Sequence, residues 1–228
     1  MKFIEIAKRR HSTRKYTDYT LTEEDKKSIS HLLRSLSSLD KKITLNWVIS
    51  EDIKKASAFI YSAVKQVPDE LVCYGFQGEE IVIGLTRMGF DTCWQASTAD
   101  GYPARILLGK ASGEKAFSEM FVKKGRRPLD SFVQGKENLT PVLKEVLEPA
   151  ILAPSALNKQ PWKFEIRPDE RLLISVDNPK GADLKYVELG IVLYHALAAA
   201  RDNDPLSSVR KVTEQAYELV LGRSQGRA

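Results

Sequence analysis

Residues 153–164 read Ala153-Pro154-Ser155-Ala156-Leu157-Asn158-Lys159-Gln160-Pro161-Trp162-Lys163-Phe164, between a helical run and a strand-like one. Pro154 and Pro161 fix φ at two points and push the residues before them toward extended backbone. Ser155, Asn158 and Gln160 lie between them without helical or strand periodicity. A loop held stiff at both ends, carrying a hydroxyl and two amides, is suited to hydrogen-bond a planar, polar partner. Asn and Gln each offer a donor and an acceptor, which matches the edge of a heterocycle. The competing reading is an ordered connection whose polar groups satisfy its own backbone.

A second chemical stretch is Arg10-His11-Ser12-Thr13-Arg14-Lys15-Tyr16. Two guanidiniums, a hydroxyl and backbone amides within five residues suit a phosphate, because each Arg presents a charged fork. A solvated basic turn is the plainer alternative. Lys123-Lys124-Gly125-Arg126-Arg127-Pro128-Leu129 is the densest charge run, four cations in five positions. Such runs are ordinarily solvated loops, with nucleic-acid contact a minor alternative.

The 153–164 run resembles the Ala-Pro-Ser-x-x-Asn-x-Gln-Pro-Trp signature of the FMN-dependent nitroreductase family, in which this loop lies against the flavin ring. Arg10-His11-Ser12-Thr13-Arg14 is similar to that family's N-terminal motif, which grips the FMN phosphate and ribityl chain. Gly89-Phe90-Asp91-Thr92-Cys93-Trp94 resembles its Gly-Leu-Gly-Thr-Cys-Trp turn beside the flavin, with Asp91 in place of the second glycine. The resemblance implies FMN contacts from Arg10, His11, Ser12, Arg14, Cys93, Trp94, Arg126, Arg127, Pro154, Ser155, Ala156, Asn158 and Gln160. Arg14 would stand near the flavin N1 and O2 region, and Arg126 and Arg127 would complete the phosphate site. Should the position of Asp91 need a positive φ, Asp tolerates it better than most residues.

Composition is that of an ordinary globular chain: 228 residues, 43% hydrophobic and 29% charged. The net charge of +5 is compatible with a phosphate-bearing ligand or weak nucleic-acid contact and proves neither. Cys73 and Cys93 form no CxxC and have no His/Cys cluster beside them, which argues against zinc. Cys93 reads as a small buried hydrophobe, with no base nearby to activate it. The N-terminus is charged throughout and reads as no signal peptide. The longest uncharged stretch of the apolar helix in the C-terminal half, 189–200, is too short to span a bilayer. The expectation is a cytoplasmic protein with reduced thiols and no membrane association.

The elements that must position these motifs follow from periodicity. A short helix ends near Arg9. Thr22 and Asp25 form a capping box ahead of a helix through Ile29, Leu32 and Leu33. A strand surrounds Trp47. Residues 56–64 read as a helix closed by Pro68, and 78–89 as another ending at Gly89. A strand spans 105–109. Thr140 and Pro141 start a helix that Pro149 kinks or ends. Paired strands are expected at 162–166 and 172–176. The 184–200 segment is apolar on nearly every face and belongs in the protein's centre, with His195 a satisfied core histidine. His31 is a partly exposed helix residue. Asp204 and Pro205 start a last helix through Val209, Val212, Ala216 and Leu219, followed by a frayed tail from Gly222.

In the usual family order the signature loop follows the N-terminal motif closely. Here it comes after the Cys-Trp and Arg-Arg-Pro-Leu segments, an order that resembles a less studied branch of the family. The fold expected is α+β and nitroreductase-like: a central, mainly antiparallel sheet flanked by helices. Its two pseudo-symmetric halves, 1–134 and 135–228, would resemble a fused dimer. The implied activity is an FMN-dependent NAD(P)H oxidoreductase, with ping-pong hydride transfer through flavin N5 to a small nitro, quinone or enone acceptor. NADH or NADPH would be the donor, in a monomer or homodimer. A flavin carrier or sensor without turnover is one alternative; a flavin-free anion or nucleic-acid binder is another, weakened by the lack of interleaved aromatics.

Overall fold

A computed structural model describes residues 1–97, 101–113, 125–176 and 184–222. Lys123, Lys124 and the tail beyond Gly222 fall outside the described residues. In chain order the helices are α1 (Phe3–Arg9), α2 (Glu23–Arg34), α3 (Pro68–Arg87), α4 (Pro141–Ala150) and α5 (Leu184–Asn203). The strands are β1 (Trp47–Ser50), β2 (Ala58–Ser62), β3 (Asp91–Ala96), β4 (Ala104–Gly109), β5 (Val133–Gln134), β6 (Trp162–Arg167), β7 (Arg171–Val176), β8 (Ser208–Thr213) and β9 (Ala216–Val220).

The fold is α+β. Its strands are divided between two sheets, ordered β1-β2-β4-β3 and β5-β6-β7-β9-β8. Among these strands all pairings are antiparallel except β5 with β6. Ile60 of β2 and Ile106 and Leu108 of β4 bury the first sheet against Ile81, Val82 and Leu85 of α3. Phe164 and Ile174 bury the second sheet in the cluster that holds Leu189 and Leu193 of α5. α3 and α5 therefore lie between the sheets and pack on each other, apolar on nearly all sides.

Two glycines allow that helix pair to approach backbone to backbone. A Cβ at Gly75 would stand 1.9 Å from the Val187 carbonyl oxygen, and one at Gly190 2.0 Å from that of Val72. Neither neighbour is a side chain that can rotate away.

Several expected elements are present. The capping box is complete, with Asp25 N–H donating to Thr22 Oγ1 and Thr22 N–H to Asp25 Oδ2. Thr140 caps α4, Pro141 is its first residue and Pro149 lies in its last turn. His31 is exposed on α2.

Three expectations are corrected. Residues 56–64 hold strand β2: Phe59, Ile60 and Tyr61 favour extended backbone, and β1 and β4 supply ladders on both sides. Pro68 opens α3 at its first turn, where its missing N–H costs nothing. Asp204 and Pro205 begin a turn, in which Leu206 N–H donates to Asp204 Oδ1 at 2.8 Å. The expected last helix is the β8–β9 hairpin, because β7 offers β9 a full ladder from Arg171↔Val220 to Ser175↔Ala216. Val209, Val212, Tyr217 and Val220 also favour strand over helix.

The helix contact sets a stability prediction. Gly190→Ala is expected to lower the unfolding free energy by about 3 kcal/mol or more, through overpacking against rigid backbone. Urea denaturation checks it.

Candidate functional site

The 10–16 segment leaves α1 and runs along the edge of the first sheet. Thr13 N–H donates to the Thr92 carbonyl at 2.9 Å, Ser12 bridges Thr92, and Tyr16 bridges Ala111. Arg10 is turned inward and only 6% exposed. Burial lowers the proton affinity of its guanidinium, an effect opposed by the fields of Glu79 and the Cys93 thiol. Among the described residues it forms no ion pair. Arg14 is exposed beside it. His11 is held locally, Nδ1 at 3.1 Å from the Arg9 carbonyl and Nε2 at 3.3 Å from Asp91 Oδ1.

Asp91 needs no positive φ. It sits in β3 opposite Gly109, and the left-handed residue is Gly89, φ +81°. Its other oxygen accepts from Ala111 N–H at 2.8 Å, so the Asp ties the basic segment to the strand end. The Cys93-Trp94 pair is part of β3 rather than a turn, and the pleat sends the two side chains to opposite faces. Cys93 packs with Phe59 and Leu107 on one face. Burial raises its thiol pKa, against the pull of Arg14 and Arg10, as befits an inert small hydrophobe. Trp94 packs toward α3, where Gly78 leaves room for its ring.

Trp94 leads to a buried charge network. Its Nε1–H donates to Glu79 Oε2 at 2.8 Å, and Glu79 Oε1 meets His195 Nε2 at 2.9 Å. Both Glu79 and His195 are fully buried. His195 Nδ1 lies 2.9 Å from the Pro149 carbonyl, which can only accept, so Nδ1 carries a proton and a second proton lies between Nε2 and Glu79. His195 is thus a satisfied core residue. Glu79 went unnoticed in the sequence; it stands beside Glu80 in the middle of a helix whose neighbouring turns are mostly apolar.

Arg126 lies near enough for the charge of Glu79 to bear on it. Its guanidinium donates to the carbonyls of Ile151 at 3.3 Å, Leu152 at 3.0 Å and Ala153 at 2.6 Å, at the C-terminal end of α4. A cation at a helix C-terminus is electrostatically favoured. Burial, then the neighbouring charge of Arg10, lowers its pKa to about 10, with Glu79 opposing. Arg127 lies over the Phe132 ring, 4.2 Å from its centroid.

The 153–164 loop is strained and stapled. Leu157, Asn158 and Gln160 have φ of +51°, +55° and +51°. Such backbone costs a non-glycine residue about 1 kcal/mol or more. Gln160 is buried: its amide nitrogen donates to the Gly125 carbonyl at 2.8 Å and the Asn158 carbonyl at 3.0 Å, and its oxygen accepts from Arg127 N–H at 3.2 Å. Asn158 Nδ2 also donates to the Gly125 carbonyl, at 2.7 Å. Ser155 Oγ accepts from Gln160 N–H at 2.9 Å. The outward-facing amides expected from the sequence are instead engaged with the backbone of 125–127. Pro154 is buried, whereas Leu157 at the loop's crest is 89% exposed.

Among the described residues four buried side-chain polar atoms have no hydrogen-bond partner: Arg10 Nε, Thr13 Oγ1, Tyr16 Oη and Trp162 Nε1. All four lie in the two motif segments. Among the described residues no group of three His, Cys, Asp or Glu could hold a metal ion, and no helix is long and apolar enough to cross a membrane.

This architecture and these motifs are those of the nitroreductase fold. Residues 2–200 match the family described as "Putative TM nitroreductase". A solved structure described as a "putative nitroreductase" from Thermotoga maritima is 35% identical, with a TM-score of 0.80, 98% of this chain covered and 95% of that one. The chain belongs to this nitroreductase family, a group of nitroreductase-type oxidoreductases. More distant are a nitroreductase family protein of Clostridium difficile 630 (18% identity, TM-score 0.48, 60% of this chain and 99% of that one) and an FMN-dependent nitroreductase of Clostridium difficile R20291 (17%, 0.43, 49% and 89%). No curated protein matches the chain.

The buried network sets a second prediction. His195→Leu removes one of the two side-chain partners of the fully buried Glu79 carboxyl group, and is expected to cost about 3–5 kcal/mol. The Glu79→Leu/His195→Leu double variant is expected to recover part of that loss, because no lone charge remains. Denaturant unfolding of both checks it.

Proposed function

We propose that this chain binds FMN between the 10–16 segment and the 153–164 loop and works as an FMN-dependent NAD(P)H oxidoreductase. The observation that carries this reading is the set of four orphaned buried polar atoms. Buried donors and acceptors are nearly always satisfied, and here the exceptions coincide with the two segments that resemble flavin-binding motifs. A polar group of the ligand bridging them would satisfy both.

The residues fit such a group. Arg10, a buried cation with no ion pair among the described residues, supplies charge for a phosphate or another anionic oxygen. Ser12 and Arg14, nearer the surface, complete that end. Arg126 holds the end of α4, from which the signature loop departs. Bound FMN would supply hydride acceptance and electron transfer, chemistry that belongs to the cofactor. The protein's part is orientation, charge and exclusion of water. NADH or NADPH is the donor in this reading, and the acceptor is a small nitro, quinone or enone compound.

Both motif segments come from one chain, the first from 1–134 and the second from 135–228. We therefore read the chain as two fused halves that assemble one site.

The test is a visible spectrum of protein mixed with FMN, desalted, and titrated anaerobically with NADH and with NADPH. Retained flavin absorbance that bleaches with one donor is the expected result. Retained absorbance that never bleaches would leave a flavin carrier or sensor, and no retained flavin overturns the reading. Arg10→Ala is expected to weaken FMN at least about tenfold, the scale of one lost charge-assisted contact. Its unfolding free energy should not fall, since it removes a buried cation that has no ion pair among the described residues.

A further inference from the structure

We propose that Glu188 is a positioning residue for the flavin-side loop: its buried carboxylate, by accepting the Ala156 N–H, keeps residues 155–160 in their strained shape. The flavin part of this proposal rests on the functional reading above; the loop part does not.

Glu188 lies in the first turns of α5 and is 7% exposed. Its Oε1 accepts from Ala156 N–H at 2.6 Å, a short contact of the kind that a charged acceptor makes. Ala156 directly precedes Leu157 and Asn158, two of the three left-handed residues. The other staples hold the loop's far end: Asn158 and Gln160 to the Gly125 carbonyl, and Gln160 N–H to Ser155 Oγ. Glu188 is thus what ties the near end to the central helix. Among the described residues it has no ion pair. Lys159, on the loop itself, is the charge whose field reaches it and favours ionisation. Lys185, three residues earlier on the same helix, sets its ammonium 5.0 Å from the Tyr186 ring centroid.

A carboxylate in this position is costly. Burial raises its pKa, against the Ala156 N–H and Lys159. The folded state therefore binds the proton more tightly than the unfolded chain. Stability is greatest below the ordinary glutamate range and declines as pH rises through the raised value. A neutral glutamine of the same shape would avoid that loss. A charge kept at the base of a strained loop, where its removal would stabilise the fold, marks a positional function.

The experiment compares wild type with Glu188→Gln by three readouts: amide hydrogen exchange of 155–160 without flavin, thermal stability between pH 4 and 8, and FMN affinity by fluorescence. In Glu188→Gln, exchange at Ala156 is expected to quicken about tenfold, the effect of exchanging a charged for a neutral acceptor. Thermal stability at neutral pH should hold or rise, with the part of its decline with pH that Glu188 causes removed and the part due to Glu80, which burial also raises, retained. FMN affinity should weaken several-fold at pH 8, the gap closing toward acid as wild-type Glu188 protonates. Ala156→Pro, which deletes the donor, is expected to reproduce the affinity loss while lowering stability, because it strands the carboxylate. Unchanged exchange at Ala156 in Glu188→Gln overturns the proposal, as does equal FMN affinity at pH 8. Faster exchange in a protein whose wild type binds no FMN overturns the flavin reading and upholds the loop anchor.

Discussion

The backbone contact between α3 and α5 is the constraint on which the rest depends. Gly75 and Gly190 let the two long helices meet with carbonyl oxygens where side chains would otherwise stand. Close approach buries most of both helices between their sheets. Every polar group carried into that space must find its partner inside the protein. The helix crossing therefore dictates the chemistry of the centre as well as its shape.

Glu79 and His195 answer that requirement. They come from different helices and opposite halves of the chain, and they meet because the helices do. A shared proton, the Trp94 indole and the Pro149 carbonyl complete the set. Arg10 and Arg126 lie close enough for the field of Glu79 to bear on both. Two buried guanidiniums beside one carboxylate leave the region positive. Arg126 meets three backbone carbonyls, whereas Arg10 keeps an unsatisfied nitrogen. That difference separates a cation satisfied within the fold from one that is not.

The signature loop is stabilised in a related way. Left-handed Leu157 and Gln160 are unfavourable by themselves, so the loop holds its shape only because its ends are tied. The Gly125 carbonyl takes two side-chain amides, Arg126 gathers the carbonyls ahead of the loop, and Glu188 holds Ala156. A loop so constrained is preorganised, and ordering it on ligand binding costs little.

What the sequence determined by itself was local or motif-borne. The capping box at Thr22, the Thr140-Pro141 start of α4, the paired strands β6 and β7, the buried helix α5 and the family itself were legible there. Each depends on neighbours within a few residues or on a contiguous run. Where tertiary partners decided, local reading failed. Phe59, Ile60 and Tyr61 became strand because β1 and β4 flank them, and residues 208–220 became a hairpin because β7 had an open edge. The amides of Asn158 and Gln160 looked outward-facing until Gly125 was brought beneath them. The Glu79–His195 pair spans more than a hundred residues, and nothing in the spacing of either residue announces the other. Sequence registers what a segment prefers; only the packed helices determine which distant groups become neighbours, and burial then fixes how strongly those groups interact.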